Sequence, residues 1–434
     1  MKNEALTVSG ALGIGLTTVI GSGIWKDSLL WANSAGVFSL VAVVLAWVLM
    51  LTVGISYAEC VGMFPQGGGP YSYVKGAFGT SVGAFTGLLY YAAYCFIGSV
   101  LVFLTALFSL IAAEIATGLT LVTTLNLALV SALVIFLIGG SSYLLSIVGF
   151  GKVALAWVCA KIILVVVVFS FLFANWSTPS TSPPSIEGFN SALNNSIWAI
   201  LGFELMLIFA RDLKDPTRNM PRAILITLPV FLVVYLFVSM AASGTIAPGD
   251  VPSGSGSAYL LNLLAIKTGF PESLVFSFAA FSAAGTAFAM INGLSRQAQI
   301  MADDGHLPAA IKRKEYTVMF STLIVLVVCL VMVLTSDAWD SVGNFATAGL
   351  GLVLISTMLP AGLTAFYLRV KMPALSRPFK SPLHLIVFPL AILLSIYLIL
   401  INYMDIVTVW PAVLLTLGVM ALTLVLDRIR RGES

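Results

Sequence analysis

Apolar residues run almost unbroken along this chain for lengths that match a bilayer. A spanning helix needs about 20 mainly apolar residues. Such runs fall at 6–32, 36–60, 80–112, 123–140, 148–174, 192–211, 222–246, 270–301, 317–335, 343–369, 383–403 and 407–427. The pattern predicts an all-α integral membrane protein of twelve transmembrane helices. The intervals are short, apart from Asn175 to Asn195 and Gly244 to Pro271, and neither of these is long enough for a separate domain.

Composition agrees. Hydrophobic residues make up 59% of the 434 and charged residues 9%, against roughly 45–50% and about 25% in soluble proteins, which excludes a water-soluble enzyme. A net charge of +3, scattered along the chain, is no nucleic-acid surface. Cys60, Cys95, Cys159 and Cys329 form no CxxC pair and read as buried free thiols. With only His306 and His384 besides, no metal or cofactor is expected. The first run is too long for the apolar stretch of a cleavable leader.

Lys and Arg set the orientation. Eighteen of the twenty-one fall at the N-terminus, in alternate loops or at the C-terminus, and only Lys26 and Lys267 fall in the loops of the other side. Both termini are therefore expected in the cytoplasm, with the chain passing repeatedly through the cell membrane.

Two spans are interrupted. Lipid tolerates unwound backbone only where protein or a watery cavity covers it. Gly21-Ser22-Gly23 breaks span 1 near its middle, and Gly202-Phe203-Glu204 breaks span 6. Small residues that merely let helices pack closely would explain either one alone. Paired breaks five spans apart predict an inverted repeat: residues 1–174 (spans 1–5), then 192–369 (spans 6–10), with 383–434 adding spans 11 and 12 and a cytoplasmic tail. The N–H groups of Ser22, Gly23 and Ile24, at the positive end of a half-helix, suit a carboxylate. The carbonyls of Val19, Ile20, Trp198 and Leu201 suit an ammonium. An amino acid carries both charges a bond or two apart.

A charge at bilayer centre costs at least about 2.5–3.5 kcal/mol and is usually functional. Lys161 lies mid-way along span 5, in Val158-Cys159-Ala160-Lys161-Ile162-Ile163-Leu164, and reads as a fixed cation in the place of a bound sodium ion, or as a titrating group. Glu204 reads either as a proton-sensing or gating carboxyl or as an acceptor tying the unwound backbone to a neighbour. Glu59 and the Lys26-Asp27 pair, near span ends, are expected to be solvated at the interface or locally paired.

These segments resemble a known family. Ile20-Gly21-Ser22-Gly23-Ile24, the stretch from Tyr57-Ala58-Glu59 through Phe64-Pro65-Gln66-Gly67-Gly68-Gly69-Pro70-Tyr71-Ser72-Tyr73 to Ala77-Phe78-Gly79, Gly202-Phe203-Glu204 with Asp215-Pro216-Thr217-Arg218-Asn219-Met220-Pro221-Arg222, and Ala302-Asp303-Asp304-Gly305-His306-Leu307-Pro308 are similar to the amino acid-polyamine-organocation (APC) transporters. The resemblance implies a LeuT-like fold, with spans 1, 2, 6 and 7 moving against spans 3, 4, 5, 8, 9 and 10. It implies that Ser22 and Gly23 hold the substrate carboxylate, that Val19, Ile20 and Leu201 offer carbonyls to its ammonium, and that Gly21, Ile24 and Gly202 complete the two breaks. Trp198 matches the aromatic that closes over substrate in the arginine-agmatine exchanger branch. Lys161 matches the lysine of sodium-independent members, and Ser282 the hydroxyl beside it. Met290 stands where that exchanger branch has a Trp, which favours a neutral apolar amino acid over a cationic one.

The expectation is therefore a secondary active, sodium-independent amino acid transporter working by alternating access, with amino acid, protons and lipid bilayer as partners. Proton symport is preferred, and exchange of one amino acid for another is the alternative; a homodimer stays open. Cationic amino acid or polyamine transport is a further alternative. An integral-membrane enzyme would need His, Asp or Ser-Lys clusters at one depth, and a channel rings of charge or carbonyls; the sequence offers neither.

Overall fold

The computed structural model describes residues 5–65, 67–252, 254–335, 346 and 349–403, with single positions 414, 418, 421, 422, 425, 428 and 429 beyond them. Among these residues the regular structure is helical, apart from one isolated parallel bridge between Leu6 and Leu213. Ten segments among the described residues are long and apolar enough to cross a membrane, and Val8–Val19 is a shorter apolar helix.

Span 1 is two helices, α1 (Val8–Val19) and α2 (Gly23–Ala35). Gly36, at φ 53°, turns the chain into α3 (Ser39–Met63), so Gly23–Met63, counted among the ten as one segment, is divided there. There follow α4 (Pro70–Phe78), α5 (Thr80–Thr117), α6 (Thr124–Leu144), α7 (Ile147–Ser170) and α8 (Ile186–Ile200). A 3₁₀ segment, Phe203–Asp212, continues span 6. Then come α9 (Pro216–Ser243), α10 (Ser257–Thr268), α11 (Glu272–Asp303), α12 (Lys314–Thr335), α13 (Leu359–Lys371) and α14 (His384–Tyr403).

The differences from the apolar pattern have local causes. Span 6 begins at Ile186 instead of 192, because Ser185 Oγ accepts the Gly188 N–H at 3.0 Å and Glu187 sits in the first turn. A polar cap starts a helix where hydropathy is silent. Pro216 likewise opens α9 ahead of position 222, in the polar turn Thr217-Arg218-Asn219. The interval from Gly244 to Pro271, expected as loop, holds α10, and the span 2 to 3 connection holds α4. The start of the tenth run and nearly all of the twelfth, 407–427, lie outside the described residues. Cys60, Cys95 and Cys329 are buried as expected, but Cys159 is exposed on the outside of α7.

Packing places α5 along α11, α3 along α9 and α1 along α7. At the end of the bundle carrying Leu6, the chain is laced together. The Leu6 N–H donates to the Asp212 carbonyl at 2.8 Å, and the Lys214 N–H to the Leu6 carbonyl at 3.0 Å. Arg296 pairs with Asp212, Arg211 with Asp303 at 3.3 Å and Lys75 with Asp304 at 2.8 Å. Glu59 is fully buried and locally paired, with Arg369 at 2.5 and 2.9 Å, Arg377 at 3.4 Å and the Ser381 N–H at 2.8 Å. Asp27 is paired with Lys26, yet it is 1% exposed, so interfacial solvation does not describe it. The helix turns its carboxyl inward, back towards Gly23.

Candidate functional site

Both predicted breaks are present, at the same level of the bundle. In span 1 the helical ladder stops with the Ile20 N–H on the Leu16 carbonyl at 2.9 Å, and Gly21 N–H folds back to the Val19 carbonyl at 2.9 Å. The next bond, from the Trp25 N–H to the Ser22 carbonyl at 3.2 Å, already belongs to α2. The first amides of α2, at Ser22, Gly23 and Ile24, therefore stand at its start, where an α-helix has no internal acceptor for them.

In span 6, Leu201 is extended and Gly202 takes φ 115°, a conformation that favours glycine. The Gly202 N–H turns to Glu204 Oε2 at 3.2 Å. The carbonyl four residues back, at Trp198, thereby loses its usual helical donor. Glu204, fully buried, also accepts from the Tyr94 hydroxyl of α5. Its carboxylate thus ties the unwound segment to a neighbouring helix.

The two breaks are joined to each other. Thr18 Oγ1 lies 2.9 Å from the Gly202 carbonyl, and the Tyr235 hydroxyl of α9 lies 2.9 Å from the Val19 carbonyl and 2.6 Å from that of Ala199. Between them is a narrow cavity of about 30 Å³, room for a water or two and well below the roughly 300–1,000 Å³ typical of small-molecule pockets. Val19, Gly21, Ser22, Gly23, Trp198, Leu201 and Met290, all predicted site residues, line it. Ser22 Oγ is buried with no hydrogen-bond partner among the described residues.

Lys161 lies behind this cavity. Its Nζ reaches the Ile20 carbonyl at 2.8 Å, the Thr17 carbonyl at 2.9 Å and Thr286 Oγ1 at 3.0 Å. Three acceptors meet the three N–H bonds of an ammonium, and the residue is fully buried. Ser282 Oγ joins the same knot, 2.9 Å from the Gly21 carbonyl and 3.3 Å from that of Ile20. A Cβ on Gly285 would come within 2.8 Å of Lys161 Cε, so a glycine there leaves the lysine its path.

Not every predicted residue meets the cavity. Ile20, Ile24, Gly202, Lys161, Glu204 and Ser282 lie outside its lining. The Ile20 carbonyl, expected to face an ammonium guest, is already held by Lys161 and Ser282. Sequence reasoning missed Thr18, Ile97, Leu101, Ala199 and Thr286, which complete the wall. Thr286, one turn after Ser282, could have been found from that spacing. Ile97 and Leu101 are apolar residues in an apolar helix, with no signal to mark them.

These observations define a multi-pass α-helical membrane protein with a small, uncharged cavity between two broken helices. The amino acid permease family model matches residues 6–425, and the chain belongs to that family. Among similar proteins, the human large neutral amino acids transporter small subunit 2 is 28% identical over 421 residues, 91% of this chain and 74% of its own length. An uncharacterized transporter of Mycobacterium bovis is 26% identical over 347 residues, 77% of this chain and 74% of its own length. An uncharacterized protein of Methanocaldococcus jannaschii is 23% identical over 325 residues, 72% of each.

Proposed function

We propose that this protein is a secondary active transporter of a neutral apolar amino acid, working by alternating access without sodium. The observation that carries the reading is the set of groups around the cavity between the two breaks, which widens to admit the guest. One wall presents the free amides of Ser22, Gly23 and Ile24 at a helix N-terminus, suited to a carboxylate. Facing it, the Trp198 carbonyl, freed by the turn at Gly202, suits an ammonium. The guest's side chain would lie among Ile97, Leu101, Leu201 and Met290, where no ionised group lines the wall to pair with a guanidinium or a second ammonium. The likeness to large neutral amino acids transporters supports the same class of guest.

Sodium independence is supported by Lys161, whose ammonium ties the unwound segment of span 1 to spans 5 and 8. A second cation in the same low-dielectric space would be repelled. The pairing of α3 with α9 and of α5 with α11 supports an inverted repeat of residues 1–174 upon 192–369, since spans 2 and 7, and 3 and 8, are counterparts five apart. In this reading the Leu6 end, with its ionic lacing, faces the cytoplasm of the cell.

Transport is proton-coupled in this reading. One observation favours amino acid exchange as a second reading: the three acceptors around Lys161 suit a permanent ammonium, which carries no proton across. Proteoliposomes decide. Radiolabelled neutral, cationic and acidic amino acids are offered with and without an inward proton gradient and internal amino acid. Accumulation of neutral apolar substrates in empty vesicles under the gradient supports symport; uptake only into preloaded vesicles supports exchange; transport of cationic substrates alone overturns the substrate class.

A further inference from the structure

We infer that Asp27 is the group that takes up a proton when substrate binds. The inference rests on the proton-coupled reading above and names a carboxyl that carries its proton, apart from Lys161, whose Nζ is engaged by three acceptors.

Three observations place the carboxyl. Asp27 is 1% exposed and lies one turn beyond Gly23 on α2. Its Oδ1 is held by Lys26, while Oδ2 is buried with no hydrogen-bond partner among the described residues. A Cβ built on Gly23 would fall 2.9 Å from that Oδ2 and 3.1 Å from Ala199 Cα. The free oxygen thus lies against Gly23, between the half-helix of span 1 and the end of α8. A buried carboxylate oxygen without a donor is costly. Ser28 Oγ and Trp31 Nε1, on the next turn of the same helix, are also buried without partners, so this stretch of α2 holds unusual polar capacity for a membrane interior.

The chemistry follows from charge. The amides of Ser22, Gly23 and Ile24 are the proposed seat of the substrate carboxylate. An ionised Asp27 beside Gly23 would share one helix terminus with that second carboxylate, at close range in low dielectric. Two such groups cannot both stay ionised at little cost, and one takes a proton. The substrate carboxylate keeps several donors, whereas Asp27 Oδ2 has none, so the proton goes to Asp27. It comes from solvent on the side where the amino acid enters, adds to the carboxylate as an O–H, and leaves from the same oxygen when substrate is released on the other side. The groups acting on Asp27 are Lys26 on its own helix and Tyr235 of α9.

The test is calorimetry of L-leucine binding to the purified full-length protein, in buffers of different ionisation enthalpy, between pH 5 and 8. Wild type is expected to take up close to one proton per L-leucine in part of this range, and Asp27→Asn to bind L-leucine with no proton uptake. Undiminished proton uptake by Asp27→Asn overturns the assignment and leaves symport standing. Binding by wild type with no proton uptake at any pH overturns both. Should Asp27→Asn fail to fold, Lys26→Met decides: loss of the neighbouring cation is expected to carry proton uptake to higher pH, and an unchanged profile overturns the assignment.

Discussion

The Lys161 Nζ lies 2.8 Å from the Ile20 carbonyl and 2.9 Å from that of Thr17, so a side chain from span 5 satisfies the backbone where span 1 comes apart. An unwound segment inside a membrane must find partners for its freed carbonyls, and here one lysine supplies two of them. Lys161→Ala removes that tie. Transport of the favoured amino acid is expected to fall more than about tenfold, and the lost hydrogen bonds to cost roughly 1–3 kcal/mol in stability. Uptake rate, with thermal unfolding of the purified variant, checks both.

Gly23 leaves no room for a side chain. Its Cβ would lie 3.1 Å from both Cα and Cβ of Ala199, and a branched residue would also stiffen the start of α2. Gly23→Val is expected to weaken amino acid binding by about two orders of magnitude, equivalent to roughly 2.7 kcal/mol, while the protein still inserts. Binding at wild-type affinity by a well-inserted variant would place the site elsewhere.

The hydroxyl of Tyr94 donates to Glu204, a fully buried carboxylate. Removing a donor from a buried acceptor leaves it short of a partner and costs more than an average hydrogen bond. Tyr94→Phe should lower stability by about 1–3 kcal/mol and loosen the turn at Gly202. The fall in unfolding midpoint, compared with Tyr90→Phe, measures it.

Much of this was legible in the sequence. Both breaks fall where Gly21-Ser22-Gly23 and Gly202-Phe203-Glu204 interrupt apolar runs, because only a covered backbone can carry such residues in lipid. Seven of the cavity-lining residues follow from those breaks, from Trp198 and from the Met at 290. The rest was hidden for physical reasons. Ile97 and Leu101 carry the same apolar signal as lipid-facing neighbours. Asp27 looked like an interfacial charge, since hydropathy reports depth along a helix and not the direction a side chain takes around it. The polar cap at Ser185 and the proline that opens α9 at 216 moved helix starts outside the apolar runs.

At the Leu6 end, Asp304 joins Lys75 at 2.8 Å and Tyr71 at 2.6 Å. Partial burial pushes its carboxyl up, but the hydrogen bonds from Lys75 and Tyr71 outweigh this and hold it below its ordinary value. The folded value is depressed, so the stabilisation is present above the ordinary aspartate value of about 3.9 and is lost as pH falls through the lower, folded value. Thermal unfolding between pH 3 and 6 should show wild type losing stability on acidification below about pH 4. Lys75→Met should start less stable and change less across the same range.

The most direct measurement is L-leucine uptake into sodium-free proteoliposomes of wild type and Lys161→Ala, with L-arginine as the competing substrate. The account expects saturable L-leucine uptake by wild type without sodium, little competition from L-arginine, and loss of uptake in Lys161→Ala. Uptake that appears only when sodium is added, or L-arginine transport in preference to L-leucine, would contradict it.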